Sequence, residues 1–314
     1  MSPPLKISIV IESLNYERGN HALLASVLQS LSQQTVPREA IEVILVADPQ
    51  EHPELEALLP ELDPLARLVH APGAHYYAQK NRGAEVAETP VIGFIDSDCI
   101  PVNTWVETVL KHLTANSATP AAVQGTVVTD RSIQGVAFAV TSFGQVQGFE
   151  TRETHMLTGN NCAFRRKEFL TAPFDEGPWF HGPEVSKVAS IYAQGGVVLL
   201  DPGAEVYHAF YPGIANFLAF SAYWGWCFLH LRRGTPEEVR YAKLFDRLGW
   251  LAPAALVPAK MLMDTYRMWQ QRKPMRLSWR QLVGATLFLL LMAPAAGYGA
   301  LLERLGRGPV IPKY

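Results

Sequence analysis

Charge is scarce in this chain. Asp, Glu, Lys and Arg make up 18% of its 314 residues against 48% hydrophobic, and the mean hydropathy is +0.05. That balance excludes a disordered chain and leans toward membrane contact. Cysteine is scarcer still: Cys99, Cys162 and Cys227 neither build a disulfide scaffold nor include the close pair a structural zinc site uses. No G-x-G-x-x-G follows the first apolar run and no P-loop occurs, so a dinucleotide-binding Rossmann domain and a P-loop enzyme have no support. No internal repeat or low-complexity tract is present. The opening MSPPLK passes straight into a strand-like run, so a secretory signal peptide is not expected and the front of the chain is expected to face the cytosol. The length fits one large domain or two small ones.

The net charge of −2 hides an asymmetry. Residues 232–280 hold 11 Arg and Lys against 4 Asp and Glu, whereas residues 1–231 carry a net −11. A basic stretch beside long apolar runs reads as a membrane-surface feature. Nucleic acid is not expected as a partner, because the acidic front would repel phosphates.

Two periodicities alternate along the first hundred residues. ISIVI at 7–11, IEVILV at 41–46 and VIGFI at 91–95 are continuous apolar runs of the kind buried in a parallel sheet, with a short strand at 67–70. Helical patterns lie between them, with Leu23, Leu24, Val27, Leu28 and Leu31 on one face and a second helix at 76–87. The repeat predicts right-handed crossovers and a doubly wound, mainly parallel sheet, whose ligands sit beyond the carboxyl ends of the strands. Asn15, Asp48, Asp96 and Asp98 all fall at such ends. Residues 104–210 continue as mixed α/β: a helix at 104–114, strands near 121–129, 197–200 and 206–208, and a helix ending near Gln194. Residues 1–210 are therefore read as one catalytic domain.

The remainder changes character. Residues 211–231 and 282–302 are each 21 residues without a charge. At 1.5 Å per residue the second run spans about 31 Å, close to the roughly 30 Å hydrocarbon thickness. Residues 282–302 are thus expected to form a transmembrane helix, 211–281 a helical interfacial region and 303–314 a short tail. The 211–231 helix stands open between an interfacial position and a core one. Residues 249–263, interrupted by Lys260, are short for a span and read as re-entrant or interfacial. An even number of crossings, zero or two, is expected before residue 264, with zero preferred.

Asp96-Ser97-Asp98, where a buried strand meets a loop, offers two hard carboxylates for a divalent cation and a diphosphate; an ordinary acidic turn is the alternative. The pattern as a whole resembles the family-2 glycosyltransferases of GT-A-type fold. The resemblance runs over residues 6–210, through Glu12-Ser13-Leu14-Asn15, Asp48, Lys80-Asn81-Arg82-Gly83, Gly93-Phe94-Ile95-Asp96-Ser97-Asp98, Gly159-Asn160-Asn161-Cys162-Ala163-Phe164-Arg165-Arg166, Phe174-Asp175-Glu176 and Val206-Tyr207-His208. It implies an α/β, GT-A-type, Rossmann-like mainly parallel sheet flanked by helices, followed by a helical membrane-associated segment. It also implies a nucleotide-sugar donor and a manganese or magnesium cofactor. Ser13 and Asn15 match positions lining the nucleotide pocket, Asp48 the carboxylate that accepts from the base, and Lys80 a basic residue near the nucleotide. Asp96 matches the ribose-side Asp, Asp98 the metal ligand, and His208 a histidine joining the metal or phosphates. His208 is equally readable as a satisfied buried histidine.

The family commonly opens a helix with Gly-Glu-Asp, whereas this chain has Gly182-Pro183-Glu184-Val185. Glu184 alone then matches the general base that removes the acceptor proton, a job needing a carboxylate within about 3 Å of the hydroxyl. Asp175 and Glu176 are the other candidates. Glu12 stands where the family usually has proline, and either faces sugar hydroxyls or lies in a turn. Asn160 and Asn161 suit a tight loop and sugar hydroxyls, Phe164 an inward packing position, and Arg165 and Arg166 either phosphate or surface. Trp179 and His181 precede the base on a loop that either faces the acceptor or packs on the domain. The Q-x-x-R-W signature of processive synthases is absent, which favours transfer of one sugar. The expected activity is inverting, metal-dependent hexosyl transfer to a lipid or lipid-linked acceptor at the inner or plasma membrane, with the catalytic domain cytosolic. A soluble glycan acceptor and an inactive sugar-nucleotide-binding relative are the alternatives; the sequence is silent on oligomeric state.

Overall fold

Runs of β-branched residues build the centre of one sheet: β1 (Ile7–Glu12), β2 (Ile41–Ala47) and β4 (Val91–Asp96), with β3 (Ala66–His70) at the edge. Every residue of β1 and β4 is buried, as strands covered on both faces require. A computed structural model describes residues 6–16, 21–114, 120–176, 183–209, 213–230 and 240–310. Trp179, His181, Gly182 and Lys313 lie outside the described residues, as do the side chains of residues 240–242.

The described chain divides into two compact units, Met1–Val128 with Val146–Ala209, and Thr129–Gln145 with Phe210–Tyr314. The first holds nine strands in the order β3-β2-β1-β4-β8-β6-β9-β5, with β7 on β9. The remaining strands are β5 (Cys99–Pro101), β6 (Ala122–Val128), β7 (Arg152–Glu153), β8 (Asn161–Arg165) and β9 (Val198–His208). Ladders are parallel from β3 through β4, where the strand–helix repeat is regular. Beyond that the sheet is mixed rather than mainly parallel, because β8 enters antiparallel between β4 and β6. The two separate strands expected near 197–200 and 206–208 are one continuous β9.

Helices α1 (His21–Ser32), α2 (Leu55–Leu62), α3 (Tyr76–Val86) and α4 (Trp105–Leu113) connect these strands. Close contact of α3 with β1 needs Gly83, where a Cβ would stand 2.3 Å from Val10. Phe94, Phe164, Phe169 and Phe174 close the core with ring centres 4.8–6.0 Å apart, so Phe164 does face inward. Short α6 (Arg166–Thr171) and α7 (Pro183–Ala193) complete the unit, with Pro183 at the first helical position it tolerates.

The second unit is helical: α5 (Ile133–Phe143), α8 (Ile214–His230), α9 (Arg240–Asp246), α10 (Ala252–Gln271) and α11 (Trp279–Arg304). Ser278 opens α11 with a capping box to Gln281. Among the described helices α11 alone is long and apolar enough to cross a membrane by length and composition, and half of its most apolar stretch is buried.

Candidate active site

The carboxyl ends of β1, β2 and β4 bring the expected residues together. Asp96, the last residue of β4, is 3% exposed and accepts from Lys80 Nζ at 2.6 Å, Asn15 Nδ2 at 3.0 Å and Tyr76 Oη at 2.9 Å. Its charge is therefore held by the protein itself. Glu12 closes β1 with no exposure and accepts from Leu14 N at 2.6 Å and from Asn15 Nδ2 at 3.0 Å. Of the two readings left open by the sequence, the turn is the one found. Burial, reinforced by the Asp96 charge, pushes the Glu12 carboxyl up to about 8.

Ser13 is fixed by Gln79, which accepts from its N–H at 2.9 Å and from its hydroxyl at 3.3 Å. Asp48, at the end of β2, accepts from Gly73 N at 2.6 Å and Gln50 N at 2.8 Å, and these donors hold its carboxyl below the ordinary range. The Asp48 contacts tie two loops together at the strand end where a base would lie.

A second corner forms at Asp98. Its Oδ2 is buried without a hydrogen-bond partner and lies 3.8 Å from His208 Nε2. His208 sits opposite Cys99 across the antiparallel β5–β9 ladder, so the two side chains share one face. Donor atoms of Asp98, Cys99 and His208 lie within 4.8 Å of one another, and all three residues are buried. The His208 Nδ1–H donates to Ala209 O at 2.7 Å, which turns Nε2 toward Asp98, the ring orientation metal-bound histidines adopt. Burial raises the Asp98 carboxyl to about 6, against the His208 influence and with that of Asp96. An orphaned carboxylate oxygen beside an imidazole nitrogen fits a divalent cation.

Glu184, in the first turn of α7, accepts from Gly159 N at 3.3 Å and from the Tyr77 hydroxyl. Burial raises its carboxyl, and the Tyr77 hydrogen bond opposes that rise. Tyr76 and Tyr77, adjacent in α3, thus serve Asp96 and Glu184 respectively. Asp175 and Glu176 are exposed, and Glu176 accepts from Asn81 Nδ2 at 3.0 Å. Asn160 is buried with its Oδ1 unpartnered. Asn161 instead pins the fold: Trp105 Nε1 donates to it at 2.8 Å, and it donates to Thr126 O and Ala204 O. Among the described residues the Arg166 guanidinium donates to the Glu85 carbonyl, at 3.3 Å.

Sequence reasoning did not select Tyr76, Tyr77, Gln79 or Cys99. The signals were present: the two tyrosines and Gln79 precede Lys80 on α3, and Cys99 follows Asp98 directly.

The family model of glycosyl transferase family 2 matches residues 8–170. A curated relative, glucosyl-dolichyl phosphate glucuronosyltransferase of Haloferax volcanii, is 24% identical over 239 residues, covering 70% of this chain and 75% of the relative. Among solved structures, the mannosyltransferase PcManGT from Pyrobaculum calidifontis, in complex with GDP-Man and Mn2+, is similar at a TM-score of 0.60 and 15% identity. The match covers 98% of this chain and 89% of that one. GalNAc-T7, solved with UDP, GalNAc and Mn2+, is similar at a TM-score of 0.53 and 14% identity over 67% of this chain. The chain spans only 45% of GalNAc-T7. Both likenesses establish the fold.

Proposed function

The chain belongs to glycosyl transferase family 2, and on that footing we propose that it moves one sugar, with inversion, from a nucleotide-sugar donor to a lipid or lipid-linked acceptor at the cytosolic face of a membrane. The observation that carries this reading is the buried, unpartnered Asp98 Oδ2 facing His208 Nε2 at the end of β4. Asp98 and His208 hold a divalent cation, manganese or magnesium. When bound, that cation offsets the charge of the donor diphosphate as it leaves.

The other residues then take separate tasks. Asp48, Ser13 and Asn15 line the nucleoside side, Asn160 meets the sugar, and Asp96 fixes Asn15 while Lys80 neutralises it. Glu184 takes the proton from the acceptor hydroxyl as that oxygen attacks the sugar carbon from the face opposite the diphosphate. Its half-buried, desolvated setting supports the role, since a desolvated carboxylate is a stronger base; exposed Asp175 is the alternative base. The acceptor class rests on the apolar length of α11 and on a relative named for glucosyl-dolichyl phosphate.

The test is a panel of nucleotide sugars offered to the purified protein in detergent, with nucleotide release read with and without membrane lipid. Release from one donor, stimulated by lipid and abolished by chelator, is expected. Release that depends on a soluble glycan and ignores lipid would move the acceptor to the aqueous phase.

A further inference from the structure

The second unit is apolar on its outer faces as well as inside. In α10 the buried face carries Lys260 and Asp264, paired at 2.8 Å, with the ammonium 4.5 Å from the centre of the Trp224 ring. Its exposed face carries Leu262, Tyr266 and Trp269, each more than 60% or about 60% exposed, continuing the exposed Trp250 and Leu251 ahead of the helix. An outward apolar face also marks α11, where Trp279, Val283, Leu287, Leu291, Tyr298 and Leu301 form one exposed stripe at helical spacing along its whole length. A helix in water keeps its ion pair exposed and its large apolar groups on the inner face; α10 instead buries Lys260 and Asp264 beside Leu256 and Met268, and both helices carry a second, outward apolar face besides the one they bury.

The packing between helices is of the kind found in lipid. A Cβ on Gly225 of α8 would stand 2.0 Å from Ala296 O, and one on Gly299 of α11 would stand 1.8 Å from Ala222 O. Small residues bringing backbones this close are the usual means of association where no hydrophobic force operates between helices. Pro258 and Pro294 sit inside α10 and α11, positions tolerated in bilayer helices.

Hydrogen bonds fix the direction of each helix within the unit. At one end, Arg131 donates to Met275 O and Arg276 O, Gln271 to Gly144 O, and Gly213 N to Gln134. At the other, Trp226 donates to Arg307 O and Arg304 pairs with Asp246. So α8 and α11 run one way, packed on each other, and α10 runs the opposite way against α11. Their 17, 20 and 26 residues correspond to about 26, 30 and 39 Å, against roughly 30 Å of hydrocarbon. Where α10 meets α11, Trp269 and Trp279 lie 6.4 Å apart with the Arg272 guanidinium 4.0 Å over the Trp279 ring, the aromatic and basic pairing of a headgroup boundary.

We propose that α8, α10 and α11 cross the bilayer together as a three-helix bundle, in which α11, long and apolar enough by itself, carries the shorter α8 and the ion-paired α10, and the exposed α10 and α11 stripes face acyl chains. The bundle keeps the even number of crossings of the two-crossing alternative, but its second crossing ends at Gln271 rather than before residue 264. The short reading of 249–263 gives way because α10 is a 20-residue helix whose Lys260 turns inward onto Asp264. This inference rests on the membrane reading above and is independent of the transfer reaction.

Single cysteines placed at Leu248, Lys273 and Gly308, all exposed, test it in sealed vesicles with a membrane-impermeant maleimide. The three native cysteines are buried and need no replacement. Labelling of Lys273→Cys from one side, and of Leu248→Cys and Gly308→Cys from the other, is expected. If Leu248→Cys labels with Lys273→Cys and opposite Gly308→Cys, α11 crosses alone and the bundle is wrong. Labelling of all three from one side removes every crossing. Leu287→Asp supplies a second reading: a lipid-facing stripe predicts loss of carbonate-resistant protein, and a water-facing one no change. Donor hydrolysis by the detergent-purified chain, measured in parallel, reports on the catalytic reading separately.

Discussion

Lys80 Nζ stands 2.6 Å from Asp96 Oδ1, with the lysine side chain wholly and the aspartate almost wholly sealed from solvent. Burial works to lower the lysine's proton affinity, and the Asp96 and Glu12 carboxylates more than reverse it, so Lys80 is held firmly charged. Its ammonium is the partner of a carboxylate almost wholly withdrawn from water. Lys80→Met should therefore cost about 3–5 kcal/mol, the usual penalty for leaving a buried charge without its partner. Denaturant unfolding of the detergent-purified protein measures it. The double variant Lys80→Met/Asp96→Asn should recover part of the loss; a double variant as unstable as the sum of the singles would mean the two do not act as a pair.

Glu12 gives a pH dependence whose sign follows from its raised carboxyl. The folded chain keeps this proton up to about 8, while the unfolded chain releases it near the ordinary value of 4.5. Between these limits the folded state binds more protons, so the stability Glu12 contributes is full below pH 4.5 and is lost as pH climbs through about 8. Glu12→Gln, neutral throughout, should flatten the decline in unfolding midpoint between pH 5 and 8. An unchanged slope in the variant would mean that Glu12 is already ionised in the folded protein.

The central strands were legible because their physics is local. The apolar runs ISIVI, IEVILV and VIGFI are too continuous for a half-exposed strand, and β1 and β4 are buried throughout. Strand ends then located Asp48, Asp96 and Asp98 without reference to any partner. What stayed hidden depends on pairings far apart in the chain. Asn161 meets Ile95 across β8–β4, and Cys99 meets His208 across β5–β9; nothing in either segment's periodicity names the other. Lys80 illustrates the same limit. Its sequence setting fits a residue facing nucleotide, whereas its side chain turns into the core to neutralise Asp96. Thr129–Gln145 is hidden for another reason: an apolar helix reads alike whichever unit it joins.

The Asp98–His208 corner should bind a divalent cation measurably even without donor. Asp98→Asn removes the charge but keeps the shape, and affinity should fall by at least the roughly 10–100-fold that loss of an outer-shell partner costs. Calorimetric titration with Mn2+ reads this directly, beside donor turnover in excess chelator. Because Asp98 releases its proton only near 6, binding by the unaltered chain should strengthen as pH rises from 5 to 7. Full turnover in chelator, or equal affinity in Asp98→Asn, would remove the metal from this corner.

Glu184 is the group on which the transfer step turns, and its surroundings define a sharp variant. Gly159 N and the Tyr77 hydroxyl both donate to its carboxyl; Glu184→Gln keeps one oxygen to accept from Gly159 N, and its NH2 can donate to the Tyr77 hydroxyl oxygen, so α7 should stay in place. The amide cannot take a proton. Transfer should therefore fall by about 10²–10⁴-fold, the range general base catalysis supplies, while donor and metal affinity stay near those of the unaltered chain. The pH profile adds a second check. Burial raises the Glu184 carboxyl, and a base acts only when ionised, so transfer should climb with pH through that raised value. This limb should vanish from the residual rate of Glu184→Gln. Asp175 is exposed and carries no such requirement of burial, so Asp175→Asn should transfer at close to the full rate. Loss of transfer in Asp175→Asn with full activity in Glu184→Gln would hand the proton to Asp175 and leave Glu184 as a brace for the Gly159 loop.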